Sequence, residues 1–175
     1  MKYLYLSLFL ALPFLSYGQE NTVETNETTT NRKHELRLDI LEAVAVPALE
    51  VNYEYVISKF SGAGAAVHFS FNDSDYLEFQ KFAFTPYYRQ YFFNKKDFGA
   101  RGFFVEGNLR IAHGDEFFNG DESCTQFGAG FALGQKWTSR NGFVFEISAG
   151  IGRYFGSGNG PEVYPRGGFS AGYRF

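Results

Sequence analysis

The amino-acid sequence predicts an all-β fold, a closed antiparallel up-and-down barrel of eight strands. The 175 residues include 22 Phe, 12 Tyr and 20 Gly; aromatic residues favour strands, and glycine favours turns and close backbone approaches. Runs of roughly ten residues alternate between apolar and polar or small side chains, the two-residue period of a strand. Cys124 is the only cysteine, so no internal disulfide holds the fold and the sheet must close by its own pairing.

The start of the chain is predicted to lie outside the barrel. Lys2, a short apolar segment and the small residue Gly18 form the pattern of a cleaved signal peptide over residues 1–18. Residues 19–35 are rich in Thr, Asn and Glu with little to bury, so we expect a disordered polar tether. The barrel is predicted over residues 36–175.

Eight alternating runs follow, and the segments between them contain Gly, Asn, Asp or Pro, as hairpin connections require. The predicted strands are residues 37–46, 48–57, 62–71, 78–93, 101–112, 125–137, 142–155 and 164–175. The first turn has little turn chemistry around Pro47, and Glu42 breaks the alternation of its run. We therefore expect a bulge there. Cys124 is expected in a loop.

Each run has one large apolar face and one face of small, glycine or charged residues. The second run is ALEVNYEYVI, the fifth contains FVEGNLRIA, the sixth contains QFGAGFALGQKW and the seventh contains FVFEISAGI. In all four, bulky apolar residues occupy one parity. Glu, Asn, Arg, Lys, Ser or Gly occupy the other, so each strand has two different sides.

The alternation fits two exported barrels that differ in which face points inward. A soluble lipocalin-like barrel puts the apolar face inside, whereas an outer-membrane barrel puts it against lipid. The polar face here is mostly glycine and small residues with isolated charges, which suits the crowded interior of an eight-stranded barrel. The apolar face of the last four strands is free of charge over about ten residues, enough to cross a bilayer at a tilt. We therefore predict a transmembrane barrel.

Aromatic residues gather at the ends of the runs and are predicted to form girdles at the membrane interfaces. The predicted girdle is Tyr91, Phe93, Trp137, Tyr154, Phe155, Tyr164, Tyr173 and Phe175. An even strand number with a periplasmic start makes the basic turns, which contain Lys59 and Arg140, periplasmic. The acidic connections, HGDEFFNGDESC among them, are then external.

The signal-like start, polar tether, eight alternating runs and closing YRF resemble the small outer-membrane β-barrel proteins of the OmpX and OmpW type. The segments PYYRQYF, GFFVEGNL and GQKWTSRNGFVFEI are also similar to a further family of bacterial barrels. The resemblance implies a bacterial outer-membrane location and contact with outer-membrane lipid and lipopolysaccharide. It also implies that the barrel-assembly machinery reads the last strand, and we expect a monomer. It carries over no activity.

Charged residues on the predicted lumenal face form the main candidate site. They are Glu54, Arg89, Glu106, Arg110, Lys136, Glu146, Arg166 and Arg174. A buried charge needs a partner, and neighbouring strands offer Arg89 with Glu106, Glu106 or Arg110 with Lys136, and Lys136 with Glu146. We expect a salt-bridge network that plugs the lumen. The alternative, a catalytic acid–base cluster or ion path, is disfavoured because such a barrel has no water channel to serve.

Two other features could carry chemistry. His68 and Ser70 share a strand face and have the His-x-Ser spacing of the outer-membrane lipid A deacylases. Phe71 separates them from Asn72, and they fall in the third strand on the lumenal parity, so a polar pair filling the lumen is favoured. The acidic segment HGDEFFNGDES offers oxygen ligands for Ca²⁺ or Mg²⁺ but lacks the spacing of a calcium loop. We expect no catalytic residues, no cofactor and no metal site.

The net charge of -3 and the lack of a basic run argue against a nucleic-acid partner. The leading hypothesis is an integral outer-membrane barrel with a structural, adhesive or surface-interaction role and no enzymatic activity. One alternative is an OmpW-like conduit for small hydrophobic molecules, which requires a lumen partly lined by apolar residues. Another is a lipid-modifying enzyme that uses Ser70 and His68.

Overall fold

A computed structural model describes residues 32–45, 48–71, 81–92, 99–115, 123–155 and 161–175. Across these ranges the chain forms nine strands and one short helix. The strands are β1 (His34–Asp39), β2 (Ala48–Ser58), β3 (Ser61–Ser70), β4 (Phe82–Phe92), β5 (Gly102–Asp115), β6 (Ser123–Thr138), β7 (Phe143–Phe155), β8 (Val163–Arg166) and β9 (Phe169–Arg174). The helix, α1, spans Ile40–Ala45. No helix in the described part of the chain is long and apolar enough to cross a membrane.

The sheet closes on itself, which confirms the predicted all-β antiparallel barrel. Each strand from β1 to β7 pairs antiparallel with the next. The ring is completed by β9, which pairs with both β7 and β1. At the seam, His34 and Phe175 exchange backbone hydrogen bonds of 3.1 and 2.8 Å. Every strand therefore has a partner on both sides, apart from the short β8, which pairs with β7.

Strands β8 and β9 together occupy the eighth position of the barrel. Both pair with β7 in one continuous register, with Arg166 opposite Gly150 and Phe169 opposite Ile147. The predicted strand 164–175 is thus interrupted at two glycines without a shift in pairing. Gly167 has a φ of +117°, in the region that favours glycine over residues with a Cβ.

The first predicted strand, 37–46, is wrong beyond Asp39, where α1 replaces both the strand and the expected bulge. The Asp39 side chain accepts the backbone N–H of Glu42 at 3.0 Å. An acidic residue three positions before a glutamate is the spacing of a helix N-terminal cap. At its other end, β1 starts at His34, two residues inside the segment predicted to be a tether.

Side chains alternate between inside and outside along the strands, with the apolar side outward. In β7, Val144 is fully buried, whereas Phe143 and Phe145 are 55% and 46% exposed. Of the described side chains at outward strand positions, only Arg153 carries a formal charge. The polarity of the barrel is therefore the inverse of a water-soluble protein, with charge inside and hydrocarbon outside.

Part of the predicted aromatic girdle is wrong. Tyr91, Tyr154 and Tyr164 are at most 5% exposed and lie inside the barrel, because they fall on the same parity as the inward-facing residues of their strands. The outward strand positions include Trp137, Phe155 and Tyr173, and Phe175 is exposed just after β9; Phe93 lies outside the described residues. Cys124 was predicted in a loop, but it is the second residue of β6, opposite Gly114 of β5.

Glycines on the inner face make room for the large inward side chains. Gly152 lies directly opposite Tyr164, and a Cβ at Gly152 would lie 2.0 Å from the ring carbon Cζ of Tyr164. Gly134 faces Phe104 in the same way, with a Cβ-to-ring distance of 2.5 Å. Glycine on the neighbouring strand therefore makes room for the Tyr164 and Phe104 rings inside the barrel.

The substitution Gly152→Ala is expected to destabilise the barrel by about 1–3 kcal/mol, because the added methyl group must displace the Tyr164 ring. Denaturant unfolding followed by the fluorescence of Trp137, the only tryptophan, measures the change. The matched control is Gly107→Ala in β5, where no heavy atom lies within 4 Å of the new Cβ. Equal unfolding midpoints for the two variants would contradict this account of the inner glycines.

Candidate functional site: the charged barrel interior

All eight charged residues predicted to face the lumen lie buried inside the barrel, none more than 6% exposed. Four further charged residues join them: Glu35, Arg37, Asp39 and Glu50. Within the described part of the chain, the buried set then contains six acids and six bases, so their formal charges balance. The acids are Glu35, Asp39, Glu50, Glu54, Glu106 and Glu146, and the bases are Arg37, Arg89, Arg110, Lys136, Arg166 and Arg174.

Glu54 is the centre of the network. Its Oε2 atom lies 3.1 Å from Nη1 of Arg37, 3.0 Å from Nη1 of Arg89 and 2.8 Å from Nζ of Lys136. Its Oε1 atom accepts the hydroxyl of Tyr91 at 2.6 Å. One fully buried carboxylate therefore receives hydrogen bonds from β1, β4 and β6.

The guanidinium group of Arg89 is held by hydrogen bonds to two carboxylates and by contacts with two aromatic rings. Its guanidinium donates two hydrogen bonds to Glu146, of 2.7 and 3.0 Å, and one to Glu106, of 2.7 Å. The rings of Tyr87 and Phe104 lie 4.4 and 4.3 Å from its central carbon. Bidentate carboxylate pairing and ring stacking are the geometries for which arginine is suited and lysine is not.

The near end of the barrel is the end where the chain enters β1 and leaves β9. The segment 99–100 packs inward there. Arg174 donates to Glu35 at 2.9 Å and to the backbone carbonyls of Gly99 and Ala100 at 2.5 and 2.8 Å. Ala100 is fully buried, with a φ of 49°. It packs in an apolar cluster with Val56, Tyr91 and Phe104 at that end of the interior.

Arg166 organises the other half of the interior, toward the far end where α1 lies. It donates to Glu50 at 2.6 Å, to Glu106 at 2.9 Å and to Asn52 at 3.3 Å. Glu106 thereby links the far half to Arg89 in the centre. The far half also contains the Tyr164 ring, which stacks 5.2 Å from the guanidinium carbon of Arg110.

Of the three charge pairings predicted from the sequence, two are present in the structure. Arg89 contacts Glu106, and Lys136 lies 3.9 Å from Glu146. The pairing of Lys136 with Glu106 or Arg110 is not seen among the contacts of the described residues. Instead, Lys136 binds Glu35 and Glu54, each at 2.8 Å, because the register of β5 and β6 places Lys136 opposite Gly102, well away from Glu106.

Three of the four buried charged residues that were not predicted lie on a two-residue alternation visible in the sequence. Glu35, Arg37 and Asp39 alternate with Leu36 and Leu38, the same two-residue period as in the later strands. Glu35 was assigned to the tether, so the pattern was cut at its start. The interior of β1 therefore contributes three charges, including the Glu35–Arg37 pair.

The His68–Ser70 pair lies on the inner side of β3 at the far end. His68 is 6% exposed, and its Nδ1 atom lies 3.0 Å from Oε2 of Glu42. Ser70 is half-buried at the end of β3. The acidic partner of His68 comes from α1, which the sequence pattern did not predict. The acidic segment HGDEFFNGDES lies largely outside the described residues.

The substitution Glu54→Gln is expected to destabilise the barrel by about 3–5 kcal/mol, since it leaves Arg37, Arg89 and Lys136 buried with one fewer negative charge. The matched control is Glu162→Gln, whose ion pair with Arg153 is 3.8 Å long and whose side chain is 84% exposed. Little change is expected there because exposed pairs contribute little. Denaturant unfolding compares the two, and a Glu54→Gln midpoint equal to that of the control would contradict the central role of Glu54.

No protein-family model, no curated protein and no solved structure matches this chain.

Proposed function

We propose that this chain is an integral outer-membrane β-barrel protein with a structural, adhesive or surface-interaction role, whose lumen is plugged by paired charges. The observation that carries the proposal is the inverted polarity of the barrel. Balanced, hydrogen-bonded charges fill the inside, and Phe, Leu, Ile, Val and Tyr side chains cover the outside.

An apolar surface of this extent favours lipid over water. Leu109, Phe131 and Ile151 lie near the middle of β5, β6 and β7 and are 61%, 56% and 50% exposed. Monomeric soluble proteins rarely expose contiguous apolar patches of more than a few hundred Å². A strand of about 9–11 residues crosses a bilayer at a tilt, and β2 and β4 have 11 residues each.

A closed sheet is the second requirement of a membrane strand protein, because hydrocarbon offers no hydrogen bonds to a free strand edge. The β1–β9 seam meets this requirement. Trp137 and Tyr173 lie at outward positions of the near end, where amphipathic rings suit the interface between lipid and water.

The filled interior favours a role for the ends of the barrel over a role for its lumen. A conduit for small hydrophobic molecules requires a lumen partly lined by apolar residues. The described interior is instead charged from Arg174 and Glu35 at the near end to Arg166 and Glu50 toward the far end. The apolar residues inside form two separate clusters, one with Tyr154 and Tyr164 and one with Tyr91 and Phe104. We therefore favour surface interaction over transport and over catalysis.

The proposal extends to location and partners. Export by the N-terminal signal would bring the chain to the bacterial outer membrane, in contact with lipid and lipopolysaccharide. The barrel-assembly machinery would then read the last strand. The closed β1–β9 seam and the paired interior favour a monomer, since the seam and the interior charges are satisfied within one copy.

The test is expression of the full chain in a Gram-negative host, followed by fractionation and gel migration with and without heating. We expect the chain in the outer-membrane fraction and a faster-migrating folded band that disappears on boiling. The physical reason is that closed membrane barrels resist detergent until heated. Recovery in the soluble periplasmic fraction would contradict the proposal.

Two variants test whether the outer face of the barrel contacts lipid or water. Leu109→Arg places a charge at mid-strand and is expected to cost about 2–4 kcal/mol in lipid, whereas Phe155→Arg at the end of β7 is expected to cost about 0–1 kcal/mol. The yield of the heat-sensitive folded band reports the difference. In water both variants would be tolerated, so equal yields would oppose a lipid-facing surface.

A further inference from the structure

Three side chains of ligand type converge at the far end of the barrel. They are Glu42 on α1, Glu50 on β2 and His68 on β3, and each offers one ligand atom within 4.8 Å of the other two. Glu50 and His68 are buried, and Glu42 is half-buried. The cluster lies at the far end of the barrel, where Glu50 also accepts a hydrogen bond from Arg166.

Two features of the fold place these residues together. The β2–β3 register sets Glu50 directly opposite His68, and both side chains point inward. The Asp39 carboxylate accepts the backbone N–H of Glu42 at 3.0 Å, which starts α1 and directs Glu42 back over the barrel mouth. The helix that the sequence pattern missed thus supplies the third ligand.

The donor atoms of His68 and Glu42 are close enough together to bind one ion. His68 Nδ1 and Glu42 Oε2 lie 3.0 Å apart. Zinc bonds to nitrogen and oxygen are about 2.0–2.2 Å, so two donors of one tetrahedral ion lie about 3.4 Å apart. The hydrogen bonds that Arg166 and Asn52 donate to Glu50 both end on Oε1. Glu50 can therefore use Oε2 for an ion and keep its place in the network.

The carboxylates around Glu42 also favour a bound cation. The twelve buried charges of the described residues balance, but the half-buried Glu42 is a further acid beside Asp39 and Glu50. Two bases act on Glu50, namely Arg110 and Arg166, and Arg166 is shared with Glu106. A divalent cation at the mouth would offset this excess of carboxylates.

We propose that Glu42, Glu50 and His68 bind a divalent transition-metal ion, with Zn²⁺ as the best fit. Imidazole nitrogen with carboxylate oxygen suits Zn²⁺ and its neighbours, whereas Ca²⁺ and Mg²⁺ prefer oxygen ligands alone. This departs from the absence of a metal site expected from the sequence. The site depends on the described fold and not on the proposed outer-membrane location.

Three protein ligands leave a fourth tetrahedral position for water or an external ligand. Because α1 connects β1 to β2 at the far end, an ion bound there would also tie the helix to β3. The site would therefore both stabilise the mouth and present a metal-bound position toward the far end of the barrel.

The experiment is Zn²⁺ binding by the full chain, purified in detergent and stripped with a chelator, with bound metal measured after equilibrium dialysis. We expect one Zn²⁺ per chain. Glu42→Gln and His68→Ala are each expected to weaken binding at least tenfold, and Mg²⁺ or Ca²⁺ in large excess should not displace the ion. The matched control is His113→Ala, an exposed histidine toward the end of β5, which should bind as the unmodified chain does.

Glu42→Gln keeps the shape of a half-buried helix residue, so its unfolding midpoint in the absence of metal should equal that of the unmodified chain. It therefore separates loss of a ligand from loss of the fold. Failure of the unmodified chain to bind Zn²⁺ would overturn the proposal. So would unchanged affinity in Glu42→Gln and His68→Ala, or displacement of the ion by Mg²⁺ or Ca²⁺. The cell fraction in which the chain is found is a separate readout, so the metal site and the proposed function can fail independently.

Discussion

The mutual neutralisation of buried charges inside a narrow closed sheet is the constraint on which the rest of the structure depends. Removing one partner from a buried ion pair costs about 3–5 kcal/mol, since the remaining charge is left without compensation. Glu54 pairs with Arg37, Arg89 and Lys136 at once. The register of β1, β4 and β6 must hold these groups together, because a one-residue slip of a strand would turn its charges outward.

The other features of the sequence follow from that packed interior. An eight-stranded barrel has room for little more than its own side chains, so each bulky inward group needs a small neighbour. Gly152 faces Tyr164 and Gly134 faces Phe104 for this reason. With the polar groups satisfied inside, the outer face is left to apolar side chains, and such a surface is stable against lipid. We propose surface interaction, rather than passage through the lumen, as the role of this barrel.

The sequence predicted most of the barrel because a two-residue period is a direct consequence of strand geometry. It placed seven of the eight strand positions within a few residues, and it identified eight of the twelve buried charges. It failed where a helical cap competes with alternation, since Asp39 and Glu42 form a local hydrogen bond that the strand pattern does not include. It also misplaced Tyr154 and Tyr164, whose parity points inward although their position at a run end resembles a girdle.

The most direct test of the central claim is the depth and side of two neighbouring β7 residues in a bilayer. In a Trp137→Phe background, Phe155→Trp and Tyr154→Trp each place a single indole at the same height, on the outer and inner face respectively. In vesicles that contain brominated lipid, we predict strong fluorescence quenching for Phe155→Trp and little quenching for Tyr154→Trp. Equal quenching, or stronger quenching for Tyr154→Trp, would contradict an apolar face toward lipid and a charged face toward the lumen.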